Sequence, residues 1–203
     1  MKVAEVKGEV QKQRQSRANG TIIWTVGHST RSSQEFNEIL LAHGIEALAD
    51  VRSFPGSRRY PHFNKPELSH TLEAIGIVYL HCPQLGGRRR PSPHSKNTAW
   101  KNASFRAYAD HMDSEEFKKG IEGLIEMARS KRTAIMCAEA LWWRCHRSLV
   151  ADFLKSQGFE VIHLLDSQKT EPHPFTSAAR IVEGRLSYEG LLTGSDEEVS
   201  SNP

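Results

Sequence analysis

The chain of 203 residues lacks an apolar run long enough to cross a bilayer, and it is poor in cysteine. Its three cysteines, Cys82, Cys137 and Cys145, cannot form a closed disulfide framework. The polar N-terminus has no apolar core of the length that a secretory signal requires. These absences predict a cytoplasmic protein with reduced thiols and no contact with a membrane.

Acidic residues are scarce in the middle of the chain. Residues 51–109 contain ten arginines and lysines but two acidic residues, a local balance of +8 (ten minus two). The whole chain carries a net charge of only +3, and residues 196–198 are all acidic. This distribution favours an anionic partner near the middle, either a small molecule or a nucleic acid. A solvated basic surface explains the charge alone equally well.

Internal repeats are absent, and short apolar runs alternate with helical patterns. Five segments are typical of buried strands: Thr21–Val26, Ala47–Val51, Ile77–His81, Thr133–Cys137 and Glu160–Leu165. Five others have apolar residues at helical spacing: Ser33–His43, Pro66–Ile75, Ser104–Met112, Ser114–Ser130 and His146–Gln157. The alternation predicts a single α/β domain with an open, mostly parallel, twisted sheet of about five strands and helices on both faces. Residues 1–20 are predicted to be a disordered basic arm, residues 21–193 the domain, and residues 194–203 a disordered acidic tail.

Unusual polar residues and glycines cluster at the ends of the predicted strands, with His163 and Asp166 at the end of the fifth. In a parallel sheet these ends share one edge, where open α/β sheets bind ligands. Hydroxyls, imidazole, guanidinium groups and glycine turns suit anion binding at that edge. The candidates for this role are Ser29, Arg52, Ser57, Arg58, Gly86, Gly87, Arg88, His146 and Arg147.

Three residues are candidates for catalysis: Cys145, Glu139 and His28. Cys145 lies at the predicted start of the fifth helix beside Arg144, and both a helix N-terminus and positive charge lower a thiol pKa. Cys137 ends a buried strand near Glu139, which favours the neutral thiol. Cys145 is therefore the predicted nucleophile, and packing is the alternative role for both cysteines.

A metal ion competes for the same atoms. Sulfur and imidazole ligands are available from Cys137, Cys145, His146 and His28. Their spacing matches no C-x-x-C or H-x-x-x-H motif, so no structural metal is expected. A divalent ion held by His28, Asp50 and His163 is a remaining alternative. The residues specify no cofactor.

Four stretches together resemble the DUF488 family. They are Gly27–Thr30 (GHST), Asp50–Arg58 (DVR-x-x-P-x-S-R), Leu85–Arg88 (LGG-R) and Cys137–Arg147 (CAE…CHR). They match that family in order and spacing, and the resemblance spans about Ile22 to Ile181. It implies a small cytoplasmic α/β domain of uncharacterised biochemical function.

Two functions from different classes remain. The first is an enzyme that acts on a phosphate-bearing or other anionic, nucleotide-like substrate. The second is a nucleic-acid-binding module associated with DNA or RNA maintenance. In that module residues 88–106 and the arm contact phosphates, and Trp142 or Trp143 stacks a base. The compact set of cysteine, glutamate, histidine and arginine favours chemistry. The sequence specifies neither the reaction nor the oligomeric state.

Overall fold

Residues 20–190 are described by the structure, a computed structural model of the chain. Residues 1–19 and 191–203 lie outside the described residues. The arm predicted for residues 1–20 therefore falls outside them except for Gly20, and the tail predicted for residues 194–203 falls outside them entirely.

A sheet of six strands forms the centre of the molecule. Its strands are β1 (Ile22–Gly27), β2 (Ala47–Asp50), β3 (Val78–His81), β4 (Thr133–Cys137), β5 (Glu160–Leu164) and β6 (Thr170–Pro172). They lie in the order β3-β2-β4-β1-β5-β6, with β6 antiparallel to β5 and the other pairs parallel. The predicted fold class is confirmed, and the sheet has one more strand than predicted. β6 has three residues and no apolar run, which is the signal that finds strands.

Five α-helices cover both faces of the sheet. They are α1 (Ser33–Ala42), α2 (Lys65–Ala74), α3 (Ala103–His111), α4 (Glu115–Ser130) and α5 (Arg147–Ser156). α1 and α2 bury Phe36 and Leu72 against one face. α3, α4 and α5 bury Tyr108, Leu124 and Leu149 against the other. Within residues 20–190 no helix combines the length and apolarity that crossing a membrane requires.

Side-chain caps determine where three of these helices begin. The Ser32 hydroxyl accepts from the Glu35 amide before α1, and the Glu35 carboxylate accepts from the Ser32 amide in return. The Asn102 carbonyl oxygen caps α3, and the Ser114 hydroxyl caps α4. Each capping side chain accepts a hydrogen bond from a backbone N–H that has no partner within the helix. The local sequence therefore determines where these three helices begin.

A chain of buried hydrogen bonds ties the C-terminal part of the domain to the sheet. That part includes a hairpin of β7 (Arg180–Val182) and β8 (Arg185–Ser187). The Asp152 carboxylate accepts from His173 Nε2 (3.1 Å) and from the Tyr188 hydroxyl (2.9 Å). His173 Nδ1 then accepts from His163 Nε2 (2.9 Å), and His163 Nδ1 accepts from the Thr25 hydroxyl (2.7 Å). Because a carboxylate only accepts, one tautomer of each imidazole satisfies the whole chain.

β1 and β4 are neighbours at the centre of the sheet, yet the chain leaves them toward opposite faces. β1 leads to α1 on one face, and β4 leads to α5 on the other. Gly27 and Cys137, the last residues of the two strands, are partners in the register. The diverging connections open a crevice at the carboxyl ends of the strands, where open α/β sheets bind ligands.

Candidate functional site

A cavity of about 730 Å³ lies at this crevice, over the ends of β1, β2 and β4. Residues from the loops after these strands and from the segment before α3 line it. Nine of the residues predicted for the site are in its wall: His28, Ser29, Arg52, Ser57, Gly87, Arg88, Glu139, Cys145 and His146. The structure therefore brings together residues spread over more than a hundred positions of the chain.

Three predicted site residues are not in the cavity wall. Arg58 is exposed elsewhere on the surface, and Gly86 is buried. Arg147 is only 2% exposed. Its guanidinium turns back from the first turn of α5 and donates through Nη2 to the carbonyls of Glu139 (2.9 Å) and Ala140 (2.8 Å). Arg147 thus supports the wall from behind.

Gly27 allows β1 to approach the loop that follows β4. The His28 amide donates to the Cys137 carbonyl (2.9 Å), and the Ser29 amide donates to the Ala138 carbonyl (2.8 Å). A Cβ atom at Gly27 would lie 1.9 Å from the backbone oxygen of Glu139, which is too close for any side chain. The glycine that ends β1 is therefore a condition for the shape of the cavity.

Cys137, Cys145 and His146 form a cluster in the cavity wall. His146 Nδ1 lies 3.6 Å from the Cys145 sulfur and 3.9 Å from the Cys137 sulfur. His146 Nε2 lies 3.2 Å from the Val51 carbonyl oxygen. A carbonyl only accepts, so Nε2 carries the proton and the Nδ1 lone pair faces the two sulfurs.

The two cysteines differ in the opposite sense from the sequence prediction. A hydrogen bond from the Cys145 thiol holds the pKa of Cys137 well below its usual range. Burial raises the pKa of Cys145 well above its usual range, and the neighbouring Cys137 sulfur adds to that effect. The expectation that Cys145 has the lower thiol pKa is corrected. Arg144 is exposed and Cys145 only 3% exposed, so removal from water outweighs nearby positive charge.

His28 is a neutral imidazole in the cavity wall. Its ring stacks on Phe63 at 4.1 Å, and its Nδ1 donates to the Ser29 carbonyl (3.0 Å). Burial, together with the positive charge of the Arg52 guanidinium, lowers the pKa of His28 to about 4. The unprotonated Nε2 accepts from Arg52 Nη1 at 3.3 Å. Arg52 therefore orients His28 and keeps it uncharged at neutral pH.

Arg52 is already paired within the protein. Its Nε and Nη2 donate to the two Asp50 carboxylate oxygens at 2.9 and 2.6 Å, and Nη2 also donates to the Phe63 carbonyl (2.8 Å). The Tyr79 hydroxyl donates to the same carboxylate (2.7 Å). Asp50 thus neutralises the buried guanidinium of Arg52. The guanidinium in turn positions its neighbours His28 and the Phe63 carbonyl.

The unneutralised positive charge of the cavity comes from Arg88 and Arg144. Both are exposed and both line the cavity. The Arg88 guanidinium carbon lies 5.5 Å from the centre of the Phe54 ring, which is 72% exposed at the cavity wall. One exposed carboxylate, Glu139, opposes these charges. The cavity accordingly offers an anion two guanidinium groups beside a flat apolar ring.

Sequence reasoning missed several residues of the cavity wall. Asn102 and Phe105 enter it from the start of α3, and Tyr60 enters from the segment before α2. Phe105 reads as an ordinary apolar position of an amphipathic helix, so no local signal marks it. The long segment before α3, whose length is typical of a binding loop, is the only hint toward Asn102.

The alternative of a divalent ion at His28, Asp50 and His163 is not supported by the geometry. His163 lies inside β5 opposite Thr25, and its imidazole belongs to the buried chain of hydrogen bonds, away from the sheet edge. In the described part of the chain, the one group of three or more possible metal ligands is Cys137, Cys145 and His146, whose ligand atoms all lie within 4.8 Å of one another.

Comparison with known proteins yields one match. A family model described as a domain of unknown function, DUF488, matches residues 32–154, more than half of the chain. The match includes the Asp50–Arg58, Leu85–Arg88 and Cys137–Arg147 stretches but not Gly27–Thr30. No curated protein and no solved structure is significantly similar to the chain.

Proposed function

The chain belongs to the DUF488 family, and from its cavity we propose that it is an enzyme acting on a phosphate-bearing or other anionic, nucleotide-like small molecule. One observation carries the proposal. A cavity at the crevice between β1 and β4 places two sulfurs and an imidazole nitrogen within 4.8 Å of one another, and the same cavity is lined by two exposed arginines. Reactive atoms beside an anion-binding surface are the arrangement that chemistry on an anionic substrate requires.

Catalysis explains the cluster better than passive binding does. A protein that only binds anions needs guanidinium groups and backbone amides, and it has no use for two sulfurs turned toward an imidazole lone pair. Cys145 and Cys137 supply the sulfur atoms of the proposed reactive centre. Glu139 offers an exposed carboxylate for proton transfer, and His28 offers a neutral imidazole held by Arg52. The reduced thiols suit the cytoplasmic location predicted from the sequence.

The substrate class follows from the surface around the cluster. Arg88 and Arg144 attract phosphate or carboxylate groups, and guanidinium groups bind such anions in a planar fork. Phe54 presents an exposed ring beside Arg88, on which a nucleobase or another flat group stacks. A small molecule that joins a phosphate to a flat ring matches both features, and the cavity volume of about 730 Å³ suits a ligand of that size.

The test is binding of inorganic phosphate and of nucleoside mono- and diphosphates, measured by calorimetry on the full chain. We expect a nucleotide to bind more tightly than phosphate alone. Arg144→Ala should weaken that binding at least about tenfold, or ~1.4 kcal/mol, because it removes a charge-assisted contact. Arg90→Ala is the matched control, since Arg90 is exposed but does not line the cavity.

Three results would count against the enzyme. If no anion of the panel binds, or if Arg144→Ala and Arg90→Ala weaken binding equally, the cavity is not the binding site. If single-stranded oligonucleotides bind far more tightly than mononucleotides, with affinity falling steeply as salt rises, the nucleic-acid-binding alternative is favoured.

A further inference from the structure

We propose that Cys137, Cys145 and His146 bind a zinc ion, with two sulfur ligands, one imidazole ligand and a fourth position open to the cavity. The zinc ion is the cofactor that we assign to the cavity of the proposed function. The site depends on that function in one respect, namely that its open coordination position faces the substrate-binding cavity. Three protein ligands with one open position are typical of catalytic zinc, whereas structural zinc has four protein ligands.

The distances within the cluster fit a tetrahedral ion. Zinc bonds of about 2.3 Å to sulfur and about 2.0 Å to nitrogen, at the tetrahedral angle, separate sulfur from nitrogen by about 3.5 Å. The structure places His146 Nδ1 at 3.6 Å from the Cys145 sulfur and 3.9 Å from the Cys137 sulfur. Small side-chain movements therefore complete the site without a change of backbone.

The His146 imidazole is oriented as a metal ligand. Its Nε2 donates to the Val51 carbonyl at 3.2 Å, and a ligating histidine commonly donates its second ring N–H to such an acceptor. The Gly87 backbone packs on the same ring, since a Cβ atom there would lie 2.4 Å from Nδ1. Tyr108 contacts the ring at 5.0 Å between centroids. The lone pair of Nδ1 is thereby kept toward the sulfurs.

Arg147 supplies a second, independent reason for negative charge at the sulfurs. Its guanidinium is buried, and among the described residues no carboxylate forms an ion pair with it. Nη2 donates to two backbone carbonyls, while Nε and Nη1 have no hydrogen-bond partner within residues 20–190. A buried cation favours the thiolate over the thiol at neighbouring cysteines, and the thiolate is the form that binds zinc. The two thiolates balance the charge of the zinc ion itself, so the loaded site is neutral beside Arg147.

The remaining histidine of the cavity wall does not complete the coordination. His28 Nδ1 donates to the Ser29 carbonyl, and its Nε2 accepts from Arg52. Both ring nitrogens are therefore engaged, and the fourth position faces the cavity. The spacing of these three ligands in the sequence matches no short metal-binding motif, and for that reason no structural metal is expected from the sequence. The fold assembles them from the end of β4 and from the two residues before α5.

The experiment is a titration of metal-free full-length protein with Zn²⁺ in competition with a chromophoric chelator, followed by Co²⁺ substitution. We expect one zinc ion per chain and, with Co²⁺, a sulfur-to-cobalt charge-transfer band. Cys137→Ala and Cys145→Ala should each weaken zinc binding by more than the roughly 10- to 100-fold lost when a supporting residue is removed. Cys82→Ala, which changes the third buried cysteine outside the cluster, should bind zinc like the unchanged protein.

Each outcome is decisive. The cobalt spectrum is read on the unchanged chain, so it tests sulfur ligation even if an alanine variant fails to fold. Absence of stoichiometric zinc and of the charge-transfer band overturns the site, as does equal zinc affinity in Cys137→Ala and Cys82→Ala. Nucleotide binding that depends on Arg144 would survive any of these results, so the failure of the zinc site and the failure of the proposed function are distinguishable.

Discussion

At the scale of single residues, neighbours decide what each arginine of the cavity contributes. Arg52 is paired with Asp50, Arg147 is buried behind the wall, and Arg88 and Arg144 remain available to a ligand. All four occupy the same sheet edge and look alike in the sequence. Their different roles come from burial and from the Asp50 carboxylate, which lies two positions from Arg52 and at the end of β2.

Asp50→Asn should destabilise the fold strongly. The change leaves the Arg52 guanidinium buried without its counter-charge, which costs about 3–5 kcal/mol of unfolding free energy. Glu115→Gln breaks the exposed Glu115–Lys118 pair by the same kind of substitution and should have little effect. Urea unfolding of both variants measures the difference. Equal stability of the two variants would show that the buried Arg52–Asp50 pair contributes no more to the free energy of unfolding than the exposed Glu115–Lys118 pair does.

Most residues that line the cavity were predictable from the sequence, but the order of the cysteine pKa values was not. That Cys145, Glu139, His28 and Arg88 share one cavity follows from their places at the ends of parallel strands. The thiol pKa order does not follow from the flanking charges, because burial and the contact between Cys137 and Cys145 decide it. The catalytic roles assigned to Cys145, Glu139 and His28 stay predictions.

At the scale of elements, the wall of the cavity depends on how closely β1 approaches the loop after β4. The hydrogen bonds from the amides of His28 and Ser29 continue the pairing of the two strands beyond their ends. Ser29 takes a φ of 51°, an uncommon conformation for a residue other than glycine, and there the chain turns away toward α1. The close approach of β1 and the turn at Ser29 together place His28 against the loop that follows β4.

Gly27→Ala should separate these two elements. Its Cβ would meet backbone atoms of Glu139, which cannot move aside as a side chain can, so we expect a loss of at least about 3 kcal/mol of unfolding free energy. Gly123→Ala on the exposed face of α4 meets nothing within 4 Å and should stabilise the protein by about 0.5–1 kcal/mol. Thermal unfolding should therefore shift in opposite directions for the two substitutions. A shift in the same direction would refute the close approach.

The bounds of the helices and of the first five strands were predicted to within about one residue, whereas the three strands of three residues were missed. α4 and β4 have clear caps or unbroken apolar runs. β6, β7 and β8 have three residues each, too few to show an alternating or unbroken apolar pattern, although each pairs with a strand close to it in the sequence: β6 with β5, and β7 with β8. Local pattern cannot reveal a strand whose existence depends on its neighbour.

At the scale of the whole molecule, the buried chain from Thr25 to Asp152 holds the C-terminal part on the sheet and links stability to pH. Burial lowers the pKa of His163 to about 2, with His173 and Arg147 acting in the same direction. The folded protein therefore keeps His163 neutral, while the unfolded chain protonates it below a pKa of about 6.5. The unfolded state binds more protons as the pH falls, so stability present at neutral pH is lost below about pH 6.5.

His163→Gln should reduce this pH dependence. Between pH 7 and pH 5 the unchanged protein should lose about 2 kcal/mol through His163 alone, by proton binding to the unfolded state. The variant should be less stable at pH 7 but lose about 2 kcal/mol less over the same interval. His70→Gln, at an exposed position of α2, should retain the full dependence. Urea unfolding at the two pH values gives these differences, and an unchanged slope in His163→Gln would exclude His163 as its source.

The central place of β1 in the sheet has a consequence for biosynthesis. On one side Trp24 faces Ala134, and on the other it faces Ile162, so both neighbours of this early strand are translated late. Thr25 precedes His163 by 138 positions. At about 5–20 residues per second, the ribosome needs roughly 7–28 s to translate this stretch. Until β4 is translated the nascent chain carries an apolar strand with two bare edges, and until β5 is translated one edge stays bare, which invites pairing with other chains. We therefore expect the yield in an expression host to depend on how well chaperones shield the nascent chain during translation, as well as on the stability of the finished domain.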